Sequence, residues 1–304
     1  MHPEALPITG TFLDEITFDI PSQNWGPAEW RADFDAMRAV GIDTVIIIRA
    51  GLRRETLFPS KVIGTNPPED LAKFFLEECA ARNMNLYFGN YDSWEWAQKG
   101  TWREEIALNK RFMQEIRERY ESYPAFAGWY LSHETSHHRF HFREIYGELS
   151  EHAKHLTPEK PVLISPFYPT RKIYGDEGLS PGEFADTWRQ MLLGITTIDY
   201  AAFQDGTASL DELDAYLGQA KLVMDELGIK LWNNVETFTR DMPIKFPPLD
   251  FRELRQKLLI AARHATKNIT FEFSHFMSPN SCSPAARNLY QRYREYFHMG
   301  GGER

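Results

Sequence analysis

Cysteine, basic clusters and long apolar runs are all scarce in this chain of 304 residues. Its two cysteines, Cys79 and Cys282, are too few for a disulfide framework and lack the spacing of metal ligands. Lys and Arg total 34 against 43 Asp and Glu, without a dense basic segment, which argues against nucleic acid as a partner. No apolar run reaches membrane-spanning length, and the first residues lack a basic stretch followed by an apolar core. We therefore expect a cytoplasmic protein with no membrane partner.

Short apolar stretches typical of strands alternate with amphipathic stretches typical of helices along the whole chain. The predicted strands are residues 8–12, 44–48, 85–91, 126–134, 161–165, 197–203, 230–235 and 268–273. The predicted helices are residues 28–40, 68–83, 101–122, 140–156, 180 onwards, 209–228, 250–266 and 283–298. Thr101 with Glu104, and Ser180 with Glu183, have the spacing of helix capping boxes. Alternation of this kind, at this length, predicts an α/β fold with a parallel sheet: a single-domain (β/α)8 TIM barrel over residues 1–304.

Polar side chains collect where the predicted strands end. Because the strands of such a barrel are parallel, their carboxyl ends meet at one rim, where these folds carry their chemistry. Side chains alternate between the two faces of a strand, so Glu134 and Glu236 can both point into the mouth of the barrel. The polar or aromatic residues at the strand ends are Asp14, Glu15, Arg49, Asn90, Asp92, Trp94, His133, Glu134, Tyr168, Gln204, Asp205, Glu236, Glu272 and His275.

Two carboxylates above a concave site rimmed by aromatic rings are typical of glycoside hydrolysis. One carboxyl group protonates the leaving oxygen while the other attacks the anomeric carbon or activates water, so we predict Glu134 and Glu236 as the catalytic pair. The expected carbohydrate substrate is an oligosaccharide or glycan fragment. Residues that could stack on its sugar rings are Tyr91, Trp94, Trp96, Tyr168, Trp232 and Phe238. The predicted substrate-binding residues are Arg49, Asn90, Tyr91, Asp92, Trp94, His133, Tyr168, Gln204, Asp205, Trp232, Asn234 and Glu272.

Glutamates at the ends of the fourth and seventh strands resemble those of the clan A glycoside hydrolases, which are retaining TIM-barrel enzymes. That resemblance implies that Glu134 is the acid/base and Glu236 the nucleophile, and several of those families have an arginine where Arg49 stands. Where clan A enzymes usually have asparagine before the first glutamate, this chain has His133. The whole chain further resembles a bacterial family known as domain of unknown function 4434, itself similar to glycoside hydrolases. The segments that carry this resemblance are residues 9–12, 128–134, 204–206 and 232–236.

The same carboxylates also have structural interpretations. Glu134 could cap a helix or pair with Arg139, and Glu236 could pair with Arg240. Glu272 could be a buried partner of Arg49, while an aspartate such as Asp205, before a glycine, commonly forms a turn.

Two alternative functions stay open from the sequence. A metal-dependent barrel hydrolase or isomerase would use a histidine cluster, although the His-Glu-x-x-His pattern of zinc peptidases is missing. A catalytically inactive carbohydrate-binding barrel would keep the aromatic residues alone. The expected glycosidase needs no cofactor, and these residues specify neither the sugar nor the oligomeric state. The histidine cluster that the metal-dependent alternative would use comprises His133, His137, His138 and His141.

Overall fold

The computed structural model describes residues 4–17, 20, 22–137, 141–239 and 245–299. Eight parallel strands close into a barrel in chain order, the last pairing with the first, which confirms the predicted single-domain TIM barrel. From first to last, the barrel strands are Ile8–Leu13, Thr44–Ile47, Asn85–Gly89, Phe126–Leu131, Val162–Ile164, Tyr200–Gln204, Lys230–Glu236 and Asn268–Phe271. All eight predicted strands therefore exist, and their carboxyl ends share one rim.

A long helix follows each barrel strand and packs on its outer side. From first to last, these helices are Pro27–Ala39, Leu71–Ala81, Trp102–Tyr120, Phe142–Leu156, Pro181–Leu192, Leu210–Leu227, Phe251–Ala261 and Pro284–Tyr296. Shorter helices in the rim loops are Trp96–Lys99, Arg171–Tyr174 and Phe273–Phe276, with 3-10 turns at Gly175–Glu177 and Asp205–Thr207. In the part of the chain that the structure describes, no helix combines the length and apolar character needed to cross a membrane.

The two predicted capping boxes have different outcomes. Ser180 and Glu183 form one, each side chain accepting from the other residue's backbone N–H. The prediction for Thr101 was wrong: at φ −97° and ψ 40° it caps no backbone N–H among the described residues. An N-cap residue typically has an extended backbone, which turns its side chain toward the first helical turn, and Thr101 does not have one.

Apolar side chains fill the barrel interior below the rim. Trp232 belongs to this set, and its ring stacks on Tyr200 with centroids 4.3 Å apart. Gly128 leaves room for Tyr87, because a Cβ there would overlap the tyrosine ring. These side chains therefore close the bottom of any site at the rim. The buried interior residues are Phe12, Ile46, Ile48, Tyr87, Tyr130, Leu163, Ala202, Trp232 and Ile269.

A second, three-stranded sheet lies at the rim beside the second and third barrel strands. Its central strand, Gly51–Leu52, pairs with Glu55–Thr56 on one side and with Tyr91–Asp92 on the other. The third barrel strand was predicted to run to residue 91, but it ends at Gly89, and Tyr91–Asp92 joins this small sheet instead. A Cβ at Gly89 would overlap the carbonyl oxygen of Ile47, so only glycine allows the chain to leave the barrel there. This departure brings Asp92 close to Arg49.

Candidate active site

A cavity of about 390 Å³ opens at the carboxyl rim, and the two predicted catalytic glutamates both line it. We call it the first cavity. Its polar lining residues are Asp14, Thr17, Arg49, Glu134, Gln204, Thr207, Asn234 and Glu236. Its apolar and aromatic lining residues are Phe12, Ile20, Ile48, Trp94, Phe167, Ile173, Tyr174, Phe238, Phe246 and Phe271.

Glu134 lies just beyond the end of the fourth strand and is half-buried. The hydroxyl of Tyr130 donates a hydrogen bond of 2.7 Å to its Oε1. Burial raises the pKa of Tyr130 well above its usual value, and the adjacent charge of Glu134 raises it further. The phenol therefore keeps its proton and acts as a fixed donor to one oxygen of Glu134.

Arg49 is buried among acidic side chains at the end of the second strand. Burial alone would lower its pKa, but the charges of Glu134, Asp92 and Asp14 outweigh that effect and raise it. Its Nε lies 3.5 Å from Asp92 Oδ2, and its Nη1 lies 3.4 Å from Thr17 Oγ1. The site therefore holds a permanent positive charge beside Glu134.

Glu236 is the last residue of the seventh strand and is 1% exposed. Its backbone N–H donates to Asp205 Oδ1 at 3.0 Å. Its carboxylate lies against Gly206, where a Cβ would overlap Glu236 Oε2. Both the backbone and the side chain of Glu236 are thus positioned by the turn that follows the sixth strand.

Asp205 was predicted to bind substrate, but the structure buries it between the barrel and the seventh helix, outside the described cavity lining. It is 0% exposed, is not among the described residues that line the first cavity, and forms an ion pair of 2.9 Å with Lys257 Nζ. Burial alone would lower the pKa of Lys257, and the charges of Asp205 and then Glu236 raise it instead. The pair therefore holds the backbone of Glu236 from the side of the seventh helix.

Gln204 and Asn234 do line the first cavity, as predicted for substrate-binding residues, and both amides bind Ser165. Gln204 Nε2 donates to the Ser165 carbonyl at 2.8 Å, and Asn234 Nδ2 donates to Ser165 Oγ at 3.1 Å. Within the described ranges, buried Asn234 Oδ1 has no hydrogen-bond partner. The two amide groups are therefore held in fixed orientations along one wall.

Beside the first cavity lies a second cavity of about 410 Å³. The two share Trp94, Glu134, Phe167 and Tyr174, so they meet at Glu134. The described residues that line the second cavity are Asp92, Trp94, Trp96, Ala97, His133, Glu134, Thr135, Ser136, His137, Phe142, Phe167 and Tyr174.

His133 and Asp92 reach the second cavity and are held by neighbouring groups. The ring of His133 lies with Nε2 3.1 Å from Glu105 Oε1. Burial alone would raise the pKa of Glu105, but the hydrogen bond and charge of His133 lower it. Asp92 Oδ1 accepts the backbone N–H of Trp94 at 2.7 Å while its other oxygen faces Arg49. These contacts fix one wall of the second cavity.

Two other predicted binding residues serve the scaffold beside this wall. Asn90 is buried, and its Oδ1 accepts the backbone N–H of Ser132 at 2.8 Å, which ties the third strand to the segment before Glu134. The hydroxyl of Tyr91 donates to the Arg53 carbonyl at 2.7 Å. Neither is among the described residues that line the first or second cavity.

Three more residues predicted to bind substrate are absent from the described linings of both cavities. Tyr168 is fully buried, with its ring stacked 5.2 Å from that of Phe203 under the fifth helix. Trp232 lies too deep in the barrel interior. Glu272 is 0% exposed and caps a short helix, its Oε1 accepting from the His275 backbone N–H at 2.6 Å and facing His275 Nδ1 at 2.8 Å. Strand parity could not reveal this, because it gives neither the depth of Trp232 in the barrel nor the direction of Tyr168 and Glu272 where the chain leaves its strand.

The chain matches, over residues 8–283, the family described as a domain of unknown function, DUF4434. The chain belongs to the DUF4434 family. No curated protein sequence matches this DUF4434 protein. It is similar to a solved structure described as a "putative alpha-L-fucosidase" from Bacteroides thetaiotaomicron, with 42% identity and a TM-score of 0.94. That alignment covers 97% of this chain and 94% of the other.

Two more distant structures share the barrel with this DUF4434 protein. One is an intracellular xylanase from Thermoanaerobacterium saccharolyticum, with 13% identity and a TM-score of 0.56, covering 88% of this chain and 85% of that one. The other is an endo-1,4-beta-D-mannanase from Thermotoga petrophila, with 11% identity and a TM-score of 0.60, covering 96% and 100%. At such identities the likeness shows the fold alone. The resemblance to TIM-barrel glycoside hydrolases and to DUF4434 is confirmed.

Several lining residues of the DUF4434 site were not selected from the sequence. Asp14 is among the polar residues noted at the strand ends, but no binding role was predicted for it; its Oδ1 accepts the Thr17 backbone N–H at 3.0 Å. Burial raises the pKa of Asp14. Phe167 and Tyr174 come from the loop after the fifth strand, where no periodicity indicates direction.

The histidine cluster of the metal hypothesis does not assemble in the described part of this DUF4434 protein. Among the described residues, one set of side chains has metal-ligand spacing, namely Asp92, Glu105 and His133, and it contains a single histidine. His141 instead stacks on Trp102 with centroids 4.4 Å apart. His138, and the predicted partners Arg139 and Arg240, lie outside the described residues.

Proposed function

We propose that this protein is a glycoside hydrolase in which Glu134 is the acid/base and Glu236 is the nucleophile or the base that activates water. The observation that carries the proposal is that both glutamates line one cavity at the carboxyl rim of the barrel. The 42% identical relative is described as a "putative alpha-L-fucosidase", and this description supports a carbohydrate substrate.

The two carboxyl groups have different surroundings, which suit different roles. Glu134 is half-buried at the junction of two cavities, where it can reach an oxygen between two substrate groups. In the proposed reaction it gives a proton to that oxygen as the glycosidic bond breaks. Tyr130 holds one carboxyl oxygen by its 2.7 Å hydrogen bond, which directs the other oxygen to the substrate.

Glu236 is held more rigidly, as a group that must approach one carbon atom should be. Its carboxylate attacks the anomeric carbon, giving a glycosyl-enzyme that water later cleaves, or it deprotonates a water that attacks that carbon directly. In the first case Glu134 removes the proton from the incoming water and returns to its starting form. The stereochemistry of the released sugar separates the two routes.

The walls of the first cavity fit a sugar with one apolar face. Phenylalanine and isoleucine side chains cover much of it, while Arg49, Gln204 and Asn234 provide polar groups on other sides. A 6-deoxy sugar carries a methyl group that such a wall would bury at a gain of about 0.8 kcal/mol per buried carbon. Fucosides are therefore included in the substrate panel, beside xylosides and mannosides.

The direct test is hydrolysis of this panel by the wild-type protein, Glu134→Gln and Glu236→Gln, each with and without a chelator. We expect the wild type to release sugar with or without chelator and each substitution to remove most of that activity. Cleavage that only the chelator stops would replace this mechanism with a metal-dependent one. Substituted proteins as active as wild type would show that other residues catalyse the reaction.

A further inference from the structure

Glu134 lines both adjoining cavities. Glu236 is among the described lining residues of the first cavity and is not among those of the second. This asymmetry orients the substrate if the proposed function holds. The residue that protonates the glycosidic oxygen must lie at the boundary between the sugar that is attacked and the group that leaves. The residue that acts on the anomeric carbon must lie beside the attacked sugar. The first cavity therefore holds the attacked sugar, and the second cavity lies on the side of the leaving group.

The second cavity is as large as the first, at about 410 Å³ against about 390 Å³. A leaving group as small as methanol would leave most of it to water. Its described aromatic lining residues are Trp94, Trp96, Phe142 and Tyr174, of which Trp94 is exposed and Tyr174 half-buried, and Ser136 and His137 are among its polar lining residues. Ring faces beside hydrogen-bonding groups match the apolar faces and hydroxyl edges of a sugar ring.

Contacts with neighbouring side chains hold several lining residues of the second cavity in place before a ligand binds. Trp96 packs edge-on against His133 with centroids 5.6 Å apart, and against Phe142 at 5.3 Å. Ser136 Oγ and the hydroxyl of Tyr174 lie 2.9 Å apart, within hydrogen-bond distance. Rings held by such contacts lose little entropy when a ligand stacks on them.

We propose that the second cavity binds the leaving group and that this group is itself a saccharide, so the natural substrate is an oligosaccharide cleaved between two sugars. This inference rests on the proposed function. It assigns a substrate class: compounds with a sugar on both sides of the scissile bond, rather than glycosides of small alcohols.

Ala97 offers a way to fill the second cavity without touching the first. It lines the second cavity on the short helix Trp96–Lys99, and Ala97→Phe would place a ring inside it. Gln98→Phe is the matched control, because Gln98 is the exposed next residue of the same helix. The probes are the panel disaccharide that the wild type cleaves fastest and the glycosyl fluoride of the sugar in its first cavity. Fluoride needs no leaving-group cavity.

We expect Ala97→Phe to lower kcat/KM for the disaccharide by at least about tenfold and to change that for the glycosyl fluoride by less than about twofold. Gln98→Phe should leave both values near wild type. If Ala97→Phe cleaves the disaccharide as well as wild type, or loses both substrates equally, the assignment is overturned while the glycosidase proposal stands. If the wild type cleaves no glycoside of the panel, both fall together.

Discussion

At the scale of single residues, Gly206 determines where the carboxylate of Glu236 can lie. A Cβ at this position would overlap Glu236 Oε2, so any larger residue must displace the group that we propose acts on the anomeric carbon. The requirement is for space and not for an unusual backbone, because no left-handed φ is found at Gly206. A glycine before the seventh strand is thus part of the site without contacting substrate.

Gly206→Ala should lower kcat by about 100-fold, because a displacement near 1 Å in a reacting group costs that much. The control is Gly218→Ala in the sixth helix, where the nearest atom, His264 Cε1, would lie 3.6 Å from the new Cβ. That control should keep its activity and gain roughly 0.5–1 kcal/mol of stability. Wild-type kcat in Gly206→Ala would show that Glu236 does not need this position.

Glu15 lies in the loop after the first strand, and its raised pKa should make the free energy of unfolding depend on pH. Burial raises its pKa from 4.5 to about 7, His275 opposes the shift, and the charges of Glu272 and Asp14 add to it. Between these two values the folded protein binds more protons than the unfolded chain. Its stability should therefore fall as the pH rises through this window.

Glu15→Gln removes the titrating group, so the free energy of unfolding should fall less between about pH 5 and about pH 8 than in the wild type. The difference should be on the order of 1 kcal/mol after allowing for solvent screening. Urea unfolding at both pH values measures it. Exposed Glu69→Gln makes the same charge change and should follow the wild type; an equal slope in Glu15→Gln would refute the prediction.

At the scale of secondary-structure elements, one buried ion pair joins three of them. Lys257 of the seventh helix reaches Asp205, in the turn after the sixth strand, and Asp205 accepts the backbone N–H of Glu236 at the end of the seventh strand. Both members of the pair are almost fully buried, with side chains 3% and 0% exposed. The pair therefore sets the spacing of these three elements beside the first cavity.

Lys257→Met should lower the free energy of unfolding by about 3–5 kcal/mol, because it leaves the Asp205 charge buried and unpaired. The double variant Lys257→Met/Asp205→Asn removes that charge and should regain most of the loss. Urea denaturation compares the three proteins. A single variant within about 1 kcal/mol of wild type would mean that the pair does not tie these elements together.

Regular elements could be predicted from the sequence better than their ends. The run of β-branched residues at Thr44–Ile47 and the amphipathic helix beginning at Pro27 each carry a local signal, and both are found. Thr101 has the residues of a capping box but not the backbone for it, since the short helix before it sets the direction of the chain. Local patterns fix the type of an element, while neighbouring elements set where it stops.

At the scale of the whole molecule, the repeated alternation of strand and helix was enough to predict the closed barrel and its active rim. It also indicated that Glu134 and Glu236 would share that rim, because both follow parallel strands. The walls contributed by Phe167 and Phe246 lie in loops that have no period, so their direction could not be predicted. Tyr168 shows the same limit, since the loop turns it toward the helices and turns its neighbour into the cavity.

The most direct test of the two-carboxylate account compares leaving groups. The disaccharide cleaved fastest and the 2,4-dinitrophenyl glycoside of the same sugar are given to Glu134→Gln and to Glu236→Gln, and kcat/KM is measured. Because dinitrophenolate leaves without a proton, Glu134→Gln should lose at least about 100-fold on the disaccharide and far less on the aryl glycoside. Glu236→Gln should lose activity on both. Equal losses for the two substrates in Glu134→Gln, or wild-type rates in Glu236→Gln, would contradict the account.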